Sequence, residues 1–226
     1  MKILYFGRKK CKRSKELYFF LKMKTSDIKY YDFDDNNVAK NYIKKFKDSH
    51  FDFIITFRSL IIIPDFLLKN ASMAINFHPG TPKYRGIGCV NYALYNNESY
   101  FGSTAHIIDR KIDNGAIINV KKFKIKKKFN VEEVLELTWD VMLVQAKNIL
   151  NEAFDNKNYI RKSINNYKGE KWSKKIYSRN QLNSFYKVSL NTSGMNLEKK
   201  IRATVTKNYR PYIILHNRKF EFKEDE

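Results

Sequence analysis

The sequence predicts an α/β fold: a Rossmann-like, mixed and mostly parallel sheet with helices on both faces, followed by a small extension of short helices and a β-hairpin. Three observations lead there. Over residues 2–77, short apolar runs alternate with amphipathic stretches of helical period. The strand patterns at 102–108 and 116–123 are separated only by 109–115, too few residues for a crossover helix, so they are expected to lie antiparallel. Finally, 226 residues that are 43% hydrophobic and 15% aromatic can build one large core with a small appendage.

The elements follow in order. Residues 2–6 (KILYF) form an apolar run closed by Gly7, as a buried first strand would. Ser14 is placed to cap a helix over 15–22, where Leu17, Phe20 and Leu21 share a face. A second strand is read at 30–33 and a lysine-rich amphipathic helix at 36–47. Residues 51–57 (FDFIITF) are a third strand, 64–69 a short helix, and 72–77 a fourth strand. After the antiparallel pair, a long helix pattern runs over 131–154 through Val134, Leu137, Val141, Val144 and Ile149. Residues 156–175 turn polar and read as a linker or irregular crossing. Short helices near 181–185 and 197–204 follow, and strands at 212–215 and 219–222 flank a turn at His216-Asn217-Arg218. The expected division is a main domain at 1–155 and an extension at 156–226, whose pieces are too small to stand alone.

A formal net charge of +21 raises the question of a nucleic-acid partner. The lysines, however, are spread along the whole chain apart from 121–128, and they accompany an excess of Asn, Ile, Tyr and Phe. That pattern disfavours nucleic acid and fits a solvated surface; a nucleotide diphosphate would need only a local cluster. Apolar runs such as Leu60–Ile63, stopped by Pro64, fall far short of a membrane span. Residues 1–7 read as a strand and not as a leader. Cys11 and Cys89 make neither a disulfide framework nor a metal set. A cytoplasmic protein without membrane or metal is the expectation.

The stretch Asn76-Phe77-His78-Pro79-Gly80-Thr81-Pro82-Lys83-Tyr84-Arg85-Gly86 gathers two of the four prolines, two of the eight glycines and one of the four histidines. Ligands in open α/β sheets sit beyond the carboxyl ends of strands, where this loop begins. Asn76 and His78, two apart, point to the same side of an extended backbone. Such Pro-Gly loops are common in their own right, as is the Asp113-Asn114-Gly115 turn downstream. Their combination is informative. His106 is a strand residue, His50 and His216 sit in turn-like positions, and no partner motif accompanies any of them.

Taken together, Asn76-x-His78, Pro82-x-Tyr84-Arg85-Gly86, Gly102-x-Thr104 and Ile112-Asp113-x-Gly115 resemble the folate-dependent formyltransferases over roughly residues 1–154. The pattern HPG.P.YRGIGC.N.AL, residues 78–94, is most similar to the branch acting on sugar nucleotides, as is FRSLIIIP at 57–64. One departure stands out: the SLLP of the tRNA and purine branches is replaced by Gly80-Thr81-Pro82, one residue shorter. The resemblance implies a formyltransferase-type sheet and transfer of a formyl group from 10-formyltetrahydrofolate to a primary amine. The acceptor it implies is a nucleotide-linked amino sugar such as dTDP-4-amino-4,6-dideoxyglucose, made for a surface polysaccharide such as O-antigen.

It further implies catalytic roles for Asn76, His78 and Asp113. An Asn carboxamide can donate to a developing oxyanion, His can carry protons near neutral pH, and an Asp can orient that His. Leu60, Ile61 and Ile62, with Ile108, Asp109 and Ile112, would flank the folate, although the apolar run serves equally well as core. Lys83, Tyr84, Arg85 and Gly86 would lie at the acceptor. Trp172, among lysines, is read either as a stacking platform for a base or as a residue packing the tail onto the core. A homodimer through the extension is implied by family analogy. The alternatives are a methionyl-tRNA formyltransferase-like enzyme, for which the tail holds too few strands to build a β-barrel domain, and a basic nucleic-acid-binding α/β protein.

Overall fold

A computed structural model describes residues 1–33, 36–156 and 158–223. In chain order it gives β1 (Ile3–Gly7), α1 (Lys12–Lys24), β2 (Ile28–Asp32), α2 (Asn36–Ile43), β3 (Phe51–Phe57), α3 (Asp65–Lys69) and β4 (Ala71–His78). These are followed by β5 (Arg85–Gly86), α4 (Cys89–Tyr95), β6 (Tyr100–Ile107), β7 (Ile117–Lys124) and α5 (Val131–Asp155). The extension holds α6 (Tyr159–Asn166), β8 (Ile176–Tyr177), α7 (Arg179–Phe185), α8 (Gly194–Thr204), β9 (Tyr212–Leu215) and β10 (Arg218–Glu221).

Six strands form the main sheet in the order β2-β1-β3-β4-β6-β7. The first four are parallel, while β6 and β7 run antiparallel to their neighbours. Odd-numbered residues of the central strands, among them Ile55, Phe57, Ile75 and Phe77, pack beneath α1, α5 and α6 through Leu17, Met142, Ile149 and Ile160. The opposite face carries Leu4, Phe6, Ile54 and Ala74 against Ile43, Ile61, Ile63 and Leu67. Alternation along each strand therefore sends one set of side chains to each helical layer. A third cluster joins α4, the start of α5 and Ala203 of α8. Strand β7 leaves the sheet with an open edge, and Lys121, Lys122 and Lys124 lie along it, an edge chemistry that discourages pairing with another chain.

Several local expectations are corrected. The cap of α1 is Cys11, whose sulfur accepts from Ser14 N, while Ser14 lies inside the first turn and its hydroxyl accepts from Arg8 N. The helix expected over 36–47 is interrupted: α2 ends at Ile43 and a 3₁₀ turn covers Lys44–Phe46. Residues 159–166, read as linker, form α6 because Ile160 and Ile164 dock on the main core; Lys157 lies outside the described residues. The terminal hairpin turns at His216-Asn217 alone, both with positive φ (47° and 59°), as a two-residue turn requires. Helix α4 has no counterpart in the sequence reading: Cys89 to Leu94 are all buried, so no polar face marks its period. Among the described residues no helix is long and apolar enough to cross a membrane.

Candidate active site

The candidate site lies on the α3-bearing face of the sheet, near the carboxyl end of β4. Three side chains stand abreast across neighbouring strands because the register pairs Thr56 with Asn76 and Asn76 with His106. The Thr56 hydroxyl donates to Asn76 Oδ1 at 2.6 Å. On the other side, Asn76 Nδ2 lies 2.9 Å from His106 Nε2. His106 Nδ1 donates to the Ile107 carbonyl at 2.8 Å, and its Nε2 sits between the Asn76 amide and Asp113 Oδ1. The carboxamide is thus held at both ends, with one amide hydrogen directed elsewhere. A register shift of the β6–β7 ladder between Ala105 and His106 sits beside this row, where a bulge can re-aim a side chain.

His78 is two residues further along β4 and buried. Its Nδ1 faces Asp113 Oδ2 at 3.3 Å, and its Nε2 donates to the Tyr84 carbonyl at 2.8 Å. Oxygen acceptors thus stand at both ring nitrogens and fix the plane of the ring. Gly80 is required here, since a Cβ at that position would lie 2.6 Å from His78 Nε2 and 3.1 Å from the Tyr84 carbonyl oxygen. Cys89 Sγ is 3.7 Å from His78 Nε2 but donates to the Tyr84 carbonyl, and burial pushes its thiol strongly up, so it offers no nucleophile.

Asp113 arrives from the loop between β6 and β7. It adopts a left-handed backbone (φ 44°), an uncommon state for a residue with a side chain. Its Oδ2 accepts the Gly86 N–H at 2.8 Å, and its Oδ1 lies 3.6 Å from His106 Nε2. Gly86 itself has φ 86°, and a Cβ there would lie 2.2 Å from the Tyr177 carbonyl oxygen. Burial of Asp113 would by itself raise its pKa; the His78 imidazole, then His106 and the Gly86 amide, outweigh that and hold the carboxyl at about 2. Because the folded value lies below the ordinary one near ~4, this stabilisation is complete above about pH 4 and disappears as pH falls through about 2. Across that window the wild type should lose about 2 kcal/mol more unfolding free energy than Asp113→Asn. Parallel acid profiles of the two urea midpoints would overturn this.

The other expected site residues fall differently. Tyr84 is buried, and its hydroxyl donates to Glu98 Oε1 at 2.8 Å and accepts from Asn96. Arg85 is also buried, with Nη1 on the Ser173 carbonyl and Nη2 on the Ile112 carbonyl, each at 2.8 Å, so its charge is turned inward. Lys83 is exposed and paired with Glu98 at 2.6 Å. Along the run 60–63, Ile61 and Ile63 enter the core while Leu60 and Ile62 are exposed. Ile108 packs against that same core, Ile112 is exposed, and Asp109 caps its own turn by accepting from Lys111 N and Asn114 Nδ2. Arg110, from this loop, pairs with Asp65 of α3 at 2.9 Å. Exposed apolar side chains thus stand on both segments, Leu60 and Ile62 on one and Ile112 on the other.

Trp172 is half-buried over the cluster. Its ring meets those of His106 and His78 edge-on, at 5.0 and 5.9 Å, and its Nε1 donates to the Gly115 carbonyl at 2.8 Å. Next to it, Ser173 N donates to the Pro82 carbonyl, and β8 pairs in parallel with β5. Residues 172–177 thus strap the extension across the loop. His106, the residue the sequence reading left structural, links Asn76 to Asp113; only strand register could have revealed it.

A family model described as formyl transferase matches residues 5–152. A methionyl-tRNA formyltransferase of Thermodesulfovibrio yellowstonii is 36% identical over 98 residues, 42% of this chain and 32% of that protein. The chain spans less than half the length of the curated relatives it matches. Among solved structures, a sugar N-formyltransferase from a Shewanella species superposes with a TM-score of 0.76 at 18% identity, covering 99% of this chain and 97% of that one. The N-formyltransferase of Helicobacter canadensis, solved with folinic acid and dTDP-3-aminofucose, gives 0.73 at 17% identity, covering 96% and 85%.

Proposed function

The chain belongs to the formyl transferase family, and from that premise we propose that it transfers a formyl group from 10-formyltetrahydrofolate to the primary amine of a nucleotide-linked amino sugar, in the cytoplasm. The observation that carries the reading is the convergence of Asn76, His78 and Asp113 in one cluster, with Asp113 Oδ2 at 3.3 Å from His78 Nδ1. Asn76 supplies an amide hydrogen to the carbonyl oxygen on which negative charge develops. His78, against an ionised Asp113, takes up and returns the proton the amine must lose. Asp113 holds that imidazole in place and is itself held by Gly86 N–H.

The folate is assigned to the segments 60–62 and 108–112, where Leu60, Ile62 and Ile112 expose apolar side chains suited to a flat ring system. When bound there, the donor supplies the formyl carbon. Trp172, with Lys171, Lys174 and Lys175 exposed around it, suits the acceptor, whose sugar or base can stack on the indole while the diphosphate meets the cations. A sugar acceptor is favoured over charged tRNA because solved structures similar over most of both chains, extension included, are N-formyltransferases such as the Shewanella sugar enzyme, whereas the methionyl-tRNA enzymes match only part of the chain. The exposed Ile214, Leu215 and Phe220 of the terminal hairpin suit a second copy of the chain in a homodimer.

The test is to incubate the protein with 10-formyltetrahydrofolate and a panel including dTDP-4-amino-4,6-dideoxyglucose and dTDP-3-aminofucose, following tetrahydrofolate release. Turnover with at least one amino sugar is expected. Silence across the panel with formylation of methionyl-tRNA, or salt-sensitive polyanion binding without any turnover, would overturn it.

A further inference from the structure

Arg85 is a buried cation that forms no ion pair among the described residues, and its Nε has no hydrogen-bond partner. Its guanidinium instead holds three oxygens. Nη2 donates to the Ile112 carbonyl at 2.8 Å and reaches Asn114 Oδ1 at 3.3 Å, so it grips the residues on both sides of Asp113. Nη1 donates to the Ser173 carbonyl at 2.8 Å, next to Trp172, whose ring lies 6.0 Å from the guanidinium carbon. The following residue, Gly86, holds the Asp113 carboxylate. One dipeptide therefore fixes Asp113 by its flanking backbone and by its side chain, and the same arginine reaches the strap.

A lone buried arginine is costly unless its fork is satisfied, and a planar fork matches several fixed oxygens in a way that an ammonium cannot. The left-handed backbone of Asp113 also needs outside support to persist. We propose that Arg85 is a positioning residue: it clamps the Asp113 loop in its catalytic conformation and makes that clamp depend on the docked strap carrying Trp172. The inference deepens the formyl-transfer reading and rests on it for its kinetic arm. Removing the guanidinium releases two elements at once, the loop that orients His78 and the indole that covers it.

The experiment uses the full chain with 10-formyltetrahydrofolate and whichever amino-sugar nucleotide the panel identifies. Arg85→Ala is expected to lower kcat about 100-fold with KM for both substrates within about threefold, and Arg85→Lys to recover little of the loss. Added guanidinium ion at millimolar concentration, but not sodium chloride, should restore part of the rate. A second readout needs no turnover. In a Trp139→Phe background Trp172 is the sole tryptophan, and Arg85→Ala should red-shift its emission and raise its quenching by acrylamide at unchanged circular dichroism. Unchanged Trp172 emission, or unchanged kcat, overturns the clamp. An inactive wild type overturns the formyl-transfer reading instead, and the fluorescence arm still decides whether Arg85 holds the strap.

Discussion

His78→Asn should lower kcat by about 10³-fold or more while acceptor KM stays within about threefold, because the lost proton transfer acts in the transition state. Asparagine is close to the imidazole in size and can still donate toward the Tyr84 carbonyl, so the buried pocket should remain filled. The substitution leaves Asp113 without the neighbour that does most to keep it ionised against burial. Asp113→Asn should act in the same direction by removing the carboxylate that holds the imidazole in place, and the double variant should cost little more than either single one. Steady-state kinetics with the identified acceptor checks both. A His78→Asn enzyme that keeps a tenth of its turnover would remove the imidazole from the mechanism.

Asn76→Ala should reduce kcat by about 10²–10³, corresponding to roughly 3–4 kcal/mol for one donor at a developing oxyanion. The magnitude depends on preorganisation, and the structure shows its source: Thr56 and His106 hold the two ends of the carboxamide from adjacent strands. Asn76→Asp should be at least as damaging, since a carboxylate would place charge beside the oxygen that must become negative. If Asn76→Ala changed KM alone, the carboxamide would be a binding group and not a donor to the reacting oxygen.

Much of the fold was legible because its strands are apolar runs. Residues 51–57 were read with the bounds of β3, since Phe51 and residues 54–57 are buried in a strand covered by helices on both sides. What failed were elements whose cause is not local. Helix α4 is buried all round, and α6 is a polar segment anchored by Ile160. Cys11 caps α1 in place of the more familiar Ser14 because the Ser14 side chain is already turned back to Arg8. In the site, His78 and Asp113 stood out through separate motifs, and the structure brings them within 3.3 Å. His106 escaped notice because its partnership with Asn76 exists only across the β4–β6 ladder. Tyr84 and Arg85 both turn inward, which a short polar-looking sequence does not reveal.

The strap has a consequence for how the protein is born. Arg85 meets Ser173 across 88 residues of chain, so the contacts that finish the centre become available to a polypeptide emerging from the ribosome only long after Arg85 itself. Local helices and the parallel strands can organise first, and such distant contacts form late. A nascent chain would carry all its chemistry-bearing residues well before it could align them, and competence would wait until the strap had emerged.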